Sequence, residues 1–175
     1  MRQGIVPPDD DATTLVLVCG VLAGLTGGLL AMGPTAVAAL IGGKGLGFPN
    51  KLVASALMGS DAFARENAVA ATMLGALLTL TAAAGAGALF AFLRRRETRI
   101  RLLVAEGLGF SLVAFGAMRI ALPYVDPALV GRGSTVASIL AFLLFGACLA
   151  LELPLRVGSF DVGDPARVRE SLDQA

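Results

Sequence analysis

The sequence predicts an all-α, polytopic membrane protein with four transmembrane helices plus a short interfacial helix between the first and second. Two observations predict it. Apolar residues make up 56% of the 175 and charged residues only 15%, against about 25% charge in soluble domains, and mean hydropathy is +0.79. A soluble chain this short exposes too large a share of its surface to hide so many apolar side chains. The second observation is spacing: uncharged apolar runs alternate with short polar segments, and most reach the ~20 residues that cross a ~30 Å hydrocarbon layer at 1.5 Å per residue.

The first uncharged run covers residues 12–43, ample for a crossing, with Pro34 expected to kink it or end it early. Residues 52–60 follow Lys51 and are too few to cross, so they read as a surface or re-entrant helix, with Asn50 placed to cap it and Gly59 to stop it. The second span covers 67–93, with Ser60-Asp61-Ala62-Phe63 and Asn67 as its start signals. The third, about 102–124, carries Glu106 and Arg119, and the fourth is 133–151. The chain thus divides into a polar N-terminal segment (1–12), a four-helix transmembrane domain (13–153) and a polar C-terminal tail (154–175), in which Pro165 is placed to open a short helix. Pro7-Pro8-Asp9-Asp10-Asp11 follows Met1-Arg2-Gln3 where a signal peptide needs an apolar stretch, so no cleavable signal is expected.

Basic residues set the orientation. Arg94, Arg95, Arg96, Arg99 and Arg101 crowd the turn between spans two and three. Placing that turn in the cytoplasm puts both termini there, together with Arg2, Arg156, Arg167 and Arg169, and leaves Lys44, Lys51, Arg65 and Arg132 outside. The expectation is a multi-pass protein of the bacterial inner (cytoplasmic) membrane. Reporter fusions at Lys44 and Arg132 are expected to read as periplasmic and one at Arg96 as cytoplasmic; a cytoplasmic signal at Lys44 defeats this topology.

Lipid gives helices no hydrophobic reason to associate, so close backbone approach through small residues matters. Gly20, Gly24 and Gly28 form a doubled GxxxG face on the first span, with Gly27 and Ala31 beside it; Ala82-Ala83-Ala84-Gly85-Ala86-Gly87-Ala88 in span two, Gly107, Ser111 and Phe115-Gly116 in span three, and Gly146, Ala147 and Ala150 in span four offer further small positions. That first face serves packing inside the bundle or docks onto a partner subunit, and both readings stay open. A weak internal repeat is also visible. Gly87-Ala88-Leu89 near the end of span two parallels Gly146-Ala147-Cys148 in span four, and Ala31-Met32-Gly33-Pro34 parallels Ala117-Met118-Arg119 with Pro123. A duplication of the two hairpins would be a parallel repeat about the membrane normal.

The absences exclude much chemistry. Without histidine there is no imidazole ligand for haem, zinc or copper and no Ser-His-Asp triad, and two cysteines cannot hold an iron–sulfur cluster alone. Cys19 and Cys148 fall near the cytoplasmic ends of their spans, at similar depth, where a disulfide is not expected. Gly42-Gly43-Lys44-Gly45-Leu46-Gly47 follows a span rather than a strand and lacks the hydroxyl of a phosphate loop, so it reads as a flexible turn. The net charge of +1 argues against nucleic acid. Glu106 and Arg119 are read as the only ionisable groups within a span; thirteen residues apart, or ~20 Å on a helix, they cannot pair within one copy. Interface anchoring or subunit salt bridges account for them, with a proton or cation path through Glu106 as the sharper alternative. The arginine cluster has the chemistry to hold anionic lipid headgroups, although its role in topology is sufficient reason for it.

The order of a Gly-rich span, Phe48-Pro49-Asn50-Lys51-Leu52-Val53-Ala54 through Leu57-Met58-Gly59, Gly87-Ala88-Leu89-Phe90-Ala91, Pro123-Tyr124-Val125-Asp126-Pro127 and Leu144-Phe145-Gly146 resembles an uncharacterised four-helix bacterial membrane protein family, a domain of unknown function. The resemblance covers about residues 15–153. Members of that group often carry histidines near the positions of Thr79 and Phe142; this chain has neither, so no metal or haem role transfers. The resemblance implies no activity.

Together these readings point to a non-catalytic accessory or structural subunit of a larger membrane complex, an energy-converting (respiratory or photosynthetic) one by preference, with no catalytic residue, metal or cofactor of its own. Its expected partners are other integral membrane subunits and lipids. The alternative is a small oligomeric transporter or channel, for which Pro34 in the first span is the best support.

Overall fold

A computed structural model describes residues 10–95, 99–125 and 133–155. Helix is the regular structure found among them: α1 (Asp10–Ile41), α2 (Phe48–Met58), a single 3-10 turn (Gly59–Phe63), α3 (Ala68–Arg94), α4 (Ile100–Val125) and α5 (Thr135–Leu149). The chain is a multi-pass membrane protein. Four helices are long and apolar enough to cross a bilayer, over Thr13–Ile41, Ala68–Arg94, Ile100–Ile120 and Thr135–Leu155. The residues of the C-terminal tail from 156 onward lie outside the described residues.

Three local expectations are corrected. Pro34 does not end α1, which runs on for two more turns; lipid-facing helices tolerate the lost backbone bond, and the Thr35 hydroxyl donates to the Met32 carbonyl beside it at 2.9 Å. The helix α2 begins at Phe48, so Asn50 lies within it and is not its cap. Pro49 in its first turn explains the earlier start, since a fixed φ and a missing N–H cost nothing there. Gly59 does close α2, at φ 59°, and Ser60–Phe63 form the 3-10 turn rather than the first residues of α3. Asn67 precedes α3 without a side-chain cap and instead donates from Nδ2 to the Asp61 carbonyl at 3.3 Å. In contrast Ser134 caps α5, its hydroxyl accepting from the Ala137 N–H at 3.3 Å.

The helices stand in a row rather than a closed ring. The centre is α1 and α5, with 39% and 44% of their apolar windows buried, against 22% for α3 and 17% for α4. The glycine stripe of α1 lies on α3. A Cβ at Gly24 would fall on the Ala83 carbonyl oxygen, and one at Gly20 would come 2.5 Å from Ala91 Cβ. A Cβ at Gly28 would lie 2.7 Å from Ala83 Cβ, and Gly87 meets the Gly20 carbonyl from the opposite side. On the other flank α4 packs on α5, with Gly107 against the Gly146 carbonyl and the fully buried Ser111 beside Gly146. The helices α3 and α4 scarcely touch.

The 11-residue α2 spans about 16 Å and cannot cross a bilayer. It docks on the start of α3, where Gly75 admits the Asn50 backbone so closely that any side chain there would overlap it. Ala54, Ala62 and Ala71 are fully buried in that contact, and the Phe48 and Phe63 rings lie 6.0 Å apart at its edge. The link from α1 turns at Gly43 and Gly45, with φ of 70° and 78°, a region that only glycine enters without strain.

Candidate functional site

The ionisable groups of the spans come first. Glu106 does not reach Arg119; Arg94, at the end of α3, places its Nε 3.0 Å from Glu106 Oε2. The alignment falls short of a hydrogen bond. The pair links α3 to α4 at the arginine-rich end, where the Phe90 and Phe110 rings also meet, 5.8 Å apart. With Arg94 half-exposed, the pair contributes at most about 1 kcal/mol by itself. Arg119 is exposed near the opposite end of α4. Of the remaining arginines, Arg95 lies over the Phe92 ring at 5.1 Å, while Arg99 and Arg101 are exposed around the same turn. Arg96 lies outside the described residues.

Sequence reasoning missed one acid. The fourth span reaches Leu155, so it includes Glu152, which is 1% exposed. Ending that span at residue 151 placed Glu152 outside; the apolar Leu153 and Leu155 beyond it were the available signal that the span continues. Glu106 and Arg119 are therefore not the only ionisable groups in the spans. The two cysteines are buried and form no disulfide with each other, and they do not lie at similar depth. A Cβ at Gly27 would lie 3.0 Å from Cys148 Cβ, and Gly27 stands eight residues, about 12 Å, along α1 from Cys19. Among the described residues, no cluster of three His, Cys, Asp or Glu side chains is placed to hold a metal ion.

The principal concavity lies at the other end of the bundle. Because α3 and α4 meet near the arginine turn and not beyond it, the row encloses a cleft of about 670 Å³ walled by all five helices. This falls within the ~300–1,000 Å³ typical of ligand sites. Its apolar wall comprises Ala82 and Ala86 of α3, Phe110 and Ala114 of α4, and Phe142 and Phe145 of α5. Phe115 and Phe142 cross edge to face at 5.4 Å behind it. Two hydroxyls in the wall are already committed to their own helices: Thr79 donates to Gly75 at 2.8 Å and Thr35 to Met32 at 2.9 Å. Further polar groups gather where α2 and the start of α5 roof the cleft, at Lys44, Asn50, Ser134 and Ser138; the Ser134 hydroxyl caps α5 and the Ser138 hydroxyl donates to the Ser134 carbonyl at 3.0 Å.

No residue pattern announced this cleft. It arises from the divergence of two helices that are distant neighbours in the row, and its walls are alanines and phenylalanines that read equally well as ordinary lipid-facing positions. Gly20, Gly24 and Gly28, the face singled out from sequence, form the seam beside it, and Gly28 alone of the three reaches its lining. Set against protein-family models, curated proteins and solved structures, the chain finds no match, so a functional reading rests on this geometry alone.

Proposed function

We propose that the chain is a non-catalytic accessory subunit of a larger assembly in the bacterial inner membrane, an energy-converting (respiratory or photosynthetic) one by preference, with both termini in the cytoplasm. The observation that carries the reading is the uneven burial of the row. The outer helices bury little within the chain, and their free flanks present Val69, Met73 and Leu77 on α3 and Leu112, Val113 and Ile120 on α4. Such a helix row offers two apolar edges to neighbouring subunits, and any redox cofactors belong to those neighbours. The cleft favours the alternative, a small transporter, but among the described residues its charged lining residue is Lys44, at one end, and none of them places a carboxylate in its wall.

Deleting the chain is expected to lower the recovery of one larger membrane complex in mild detergent. Glu106→Gln, which removes a half-exposed ion pair and keeps the shape, is expected to leave that complex and its activity nearly unchanged. Proton or cation flux through liposomes containing the purified chain alone, abolished by Glu106→Gln, would overturn the subunit reading and establish the transporter.

A further inference from the structure

The cleft has a definite depth in the membrane. Along α1 its lining runs from Gly42 back to Gly28, which stands beside the midpoint of the first span, Thr13–Ile41. Phe110 is the middle residue of the third span, Ile100–Ile120, and Phe145 of the fourth, Thr135–Leu155. On both helices the lining extends from there toward the α2 end and not the other way. Three helices thus put the floor of the cleft at mid-membrane and its mouth at one surface. From Gly28 to Gly42 is about 21 Å of helix, against ~20–22 Å for half a bilayer with its headgroups. The cleft is one leaflet deep. Below its floor α3 and α4 close, with Phe90 on Phe110 and Arg94 beside Glu106.

We propose that the cleft is a binding site for one glycerophospholipid of the leaflet on the α2 side, with a single acyl chain laid in it from mouth to floor. Depth supports the assignment, since a lipid chain also runs from its headgroup to mid-membrane. A partner helix crossing the bilayer needs a groove of full length, and this one stops halfway. The gradient of polarity agrees. Ala82, Ala86, Phe110 and Phe145 surround the floor, and the Thr79 and Thr35 hydroxyls along the wall donate to their own helices. Methylenes need no hydrogen-bond partner, whereas a polar headgroup buried at that depth does. Asn50, Ser134 and Ser138 belong to the mouth, at the level of a lipid's glycerol esters. Among the described residues α3 and α4 scarcely touch, so the side of the cleft faces the hydrocarbon from which such a chain would enter.

The test is photo-crosslinking of the delipidated full chain in detergent with an equimolar amount of dipalmitoyl phosphatidylcholine. One acyl chain carries a diazirine, either beside the ester or at the chain terminus. Peptide mapping is expected to place the terminal label on the floor, at Ala86, Phe110 and Phe145, and the ester-proximal label at Asn50, Ser134 and Ser138. Ala114→Phe, which fills the middle of the cleft, should lower the yield of these crosslinks about tenfold, the worth of some two methylenes no longer buried. Val113→Phe, on the exposed face beside it, should leave the yield unchanged. The two label positions are compared on the unaltered protein, so that comparison is independent of how Ala114→Phe folds. Three results would each overturn the assignment. The two labels could map to the same residues. The crosslinks could be confined to outward positions such as Val69, Met73 and Val113. An isoprenoid quinone could remove the cleft crosslinks where unlabelled dipalmitoyl phosphatidylcholine does not.

Discussion

Gly24→Leu is expected to unfold the first helix pair. The new Cβ would be driven into the Ala83 carbonyl oxygen and lie 3.1 Å from Gly87 Cα. These are backbone atoms of a facing helix, which cannot swing aside as a side chain does. Overpacking in a close-packed interior ordinarily costs about 1–3 kcal/mol, and an obstruction of backbone belongs at or above the top of that range. Against a total stability of about 5–15 kcal/mol this is a large fraction. The measurement is thermal unfolding in detergent, with Gly33→Leu and Gly85→Leu as references, because a Cβ at either position meets open space. Those two are expected to stay within about 0.5 kcal/mol of the parent. If Gly24→Leu unfolds alongside them, the α1–α3 seam is not as close as described.

Gly107→Leu is expected to release α4 while leaving the rest folded. Its Cβ would fall on the Gly146 carbonyl, at the point where α4 and α5 come closest. The loss should match that of Gly24→Leu, about 3 kcal/mol, but its location differs, since α4 depends on α5 for almost all its packing. Hydrogen–deuterium exchange should rise through Ile100–Val125 and stay unchanged in α1 and α3. Gly109→Leu, two residues along and facing open space, is the matched reference. Uniform exchange across all helices after Gly107→Leu would mean that the row unfolds as one unit.

The membrane spans were legible because hydropathy summed over twenty residues outweighs any single residue; α1, α3, α4 and α5 begin within about three residues of their expected starts. The seam at Gly20, Gly24 and Gly28 was legible as a place of close approach, since three glycines on one helical face have few other uses in lipid. Its partner was not, because α3, α4 and α5 all offer small residues and nothing local ranks them. The Arg94–Glu106 pair was hidden for a related reason. Arg94 read as a charge of the turn and Glu106 as one within the next span, and only the packing of α3 against α4 brings them together. Glu152 was misplaced because a single acid near the end of an apolar run resembles its boundary. The cleft was least visible of all, being a property of where helices part rather than of the residues that line it.

The parting of α3 from α4 bears on the weak repeat read in the sequence. A two-fold axis along the membrane normal that exchanges the hairpins takes α1 to α4 and α3 to α5, so it maps the α1–α5 seam onto an α3–α4 seam. The hairpins themselves obey this rule, with Gly87 against the Gly20 carbonyl in one and Gly146 against the Gly107 carbonyl in the other. The seam between hairpins is extensive on one side and on the other is reduced to the arginine-rich end. The departure from symmetry coincides with α2, which among the described residues stands in the first hairpin and lines the cleft beyond the point where α3 and α4 meet. Each hairpin thus closes on itself through glycines in the same way, and the two-fold relation fails only between the hairpins, on the side where a segment too short to cross the membrane packs on α3.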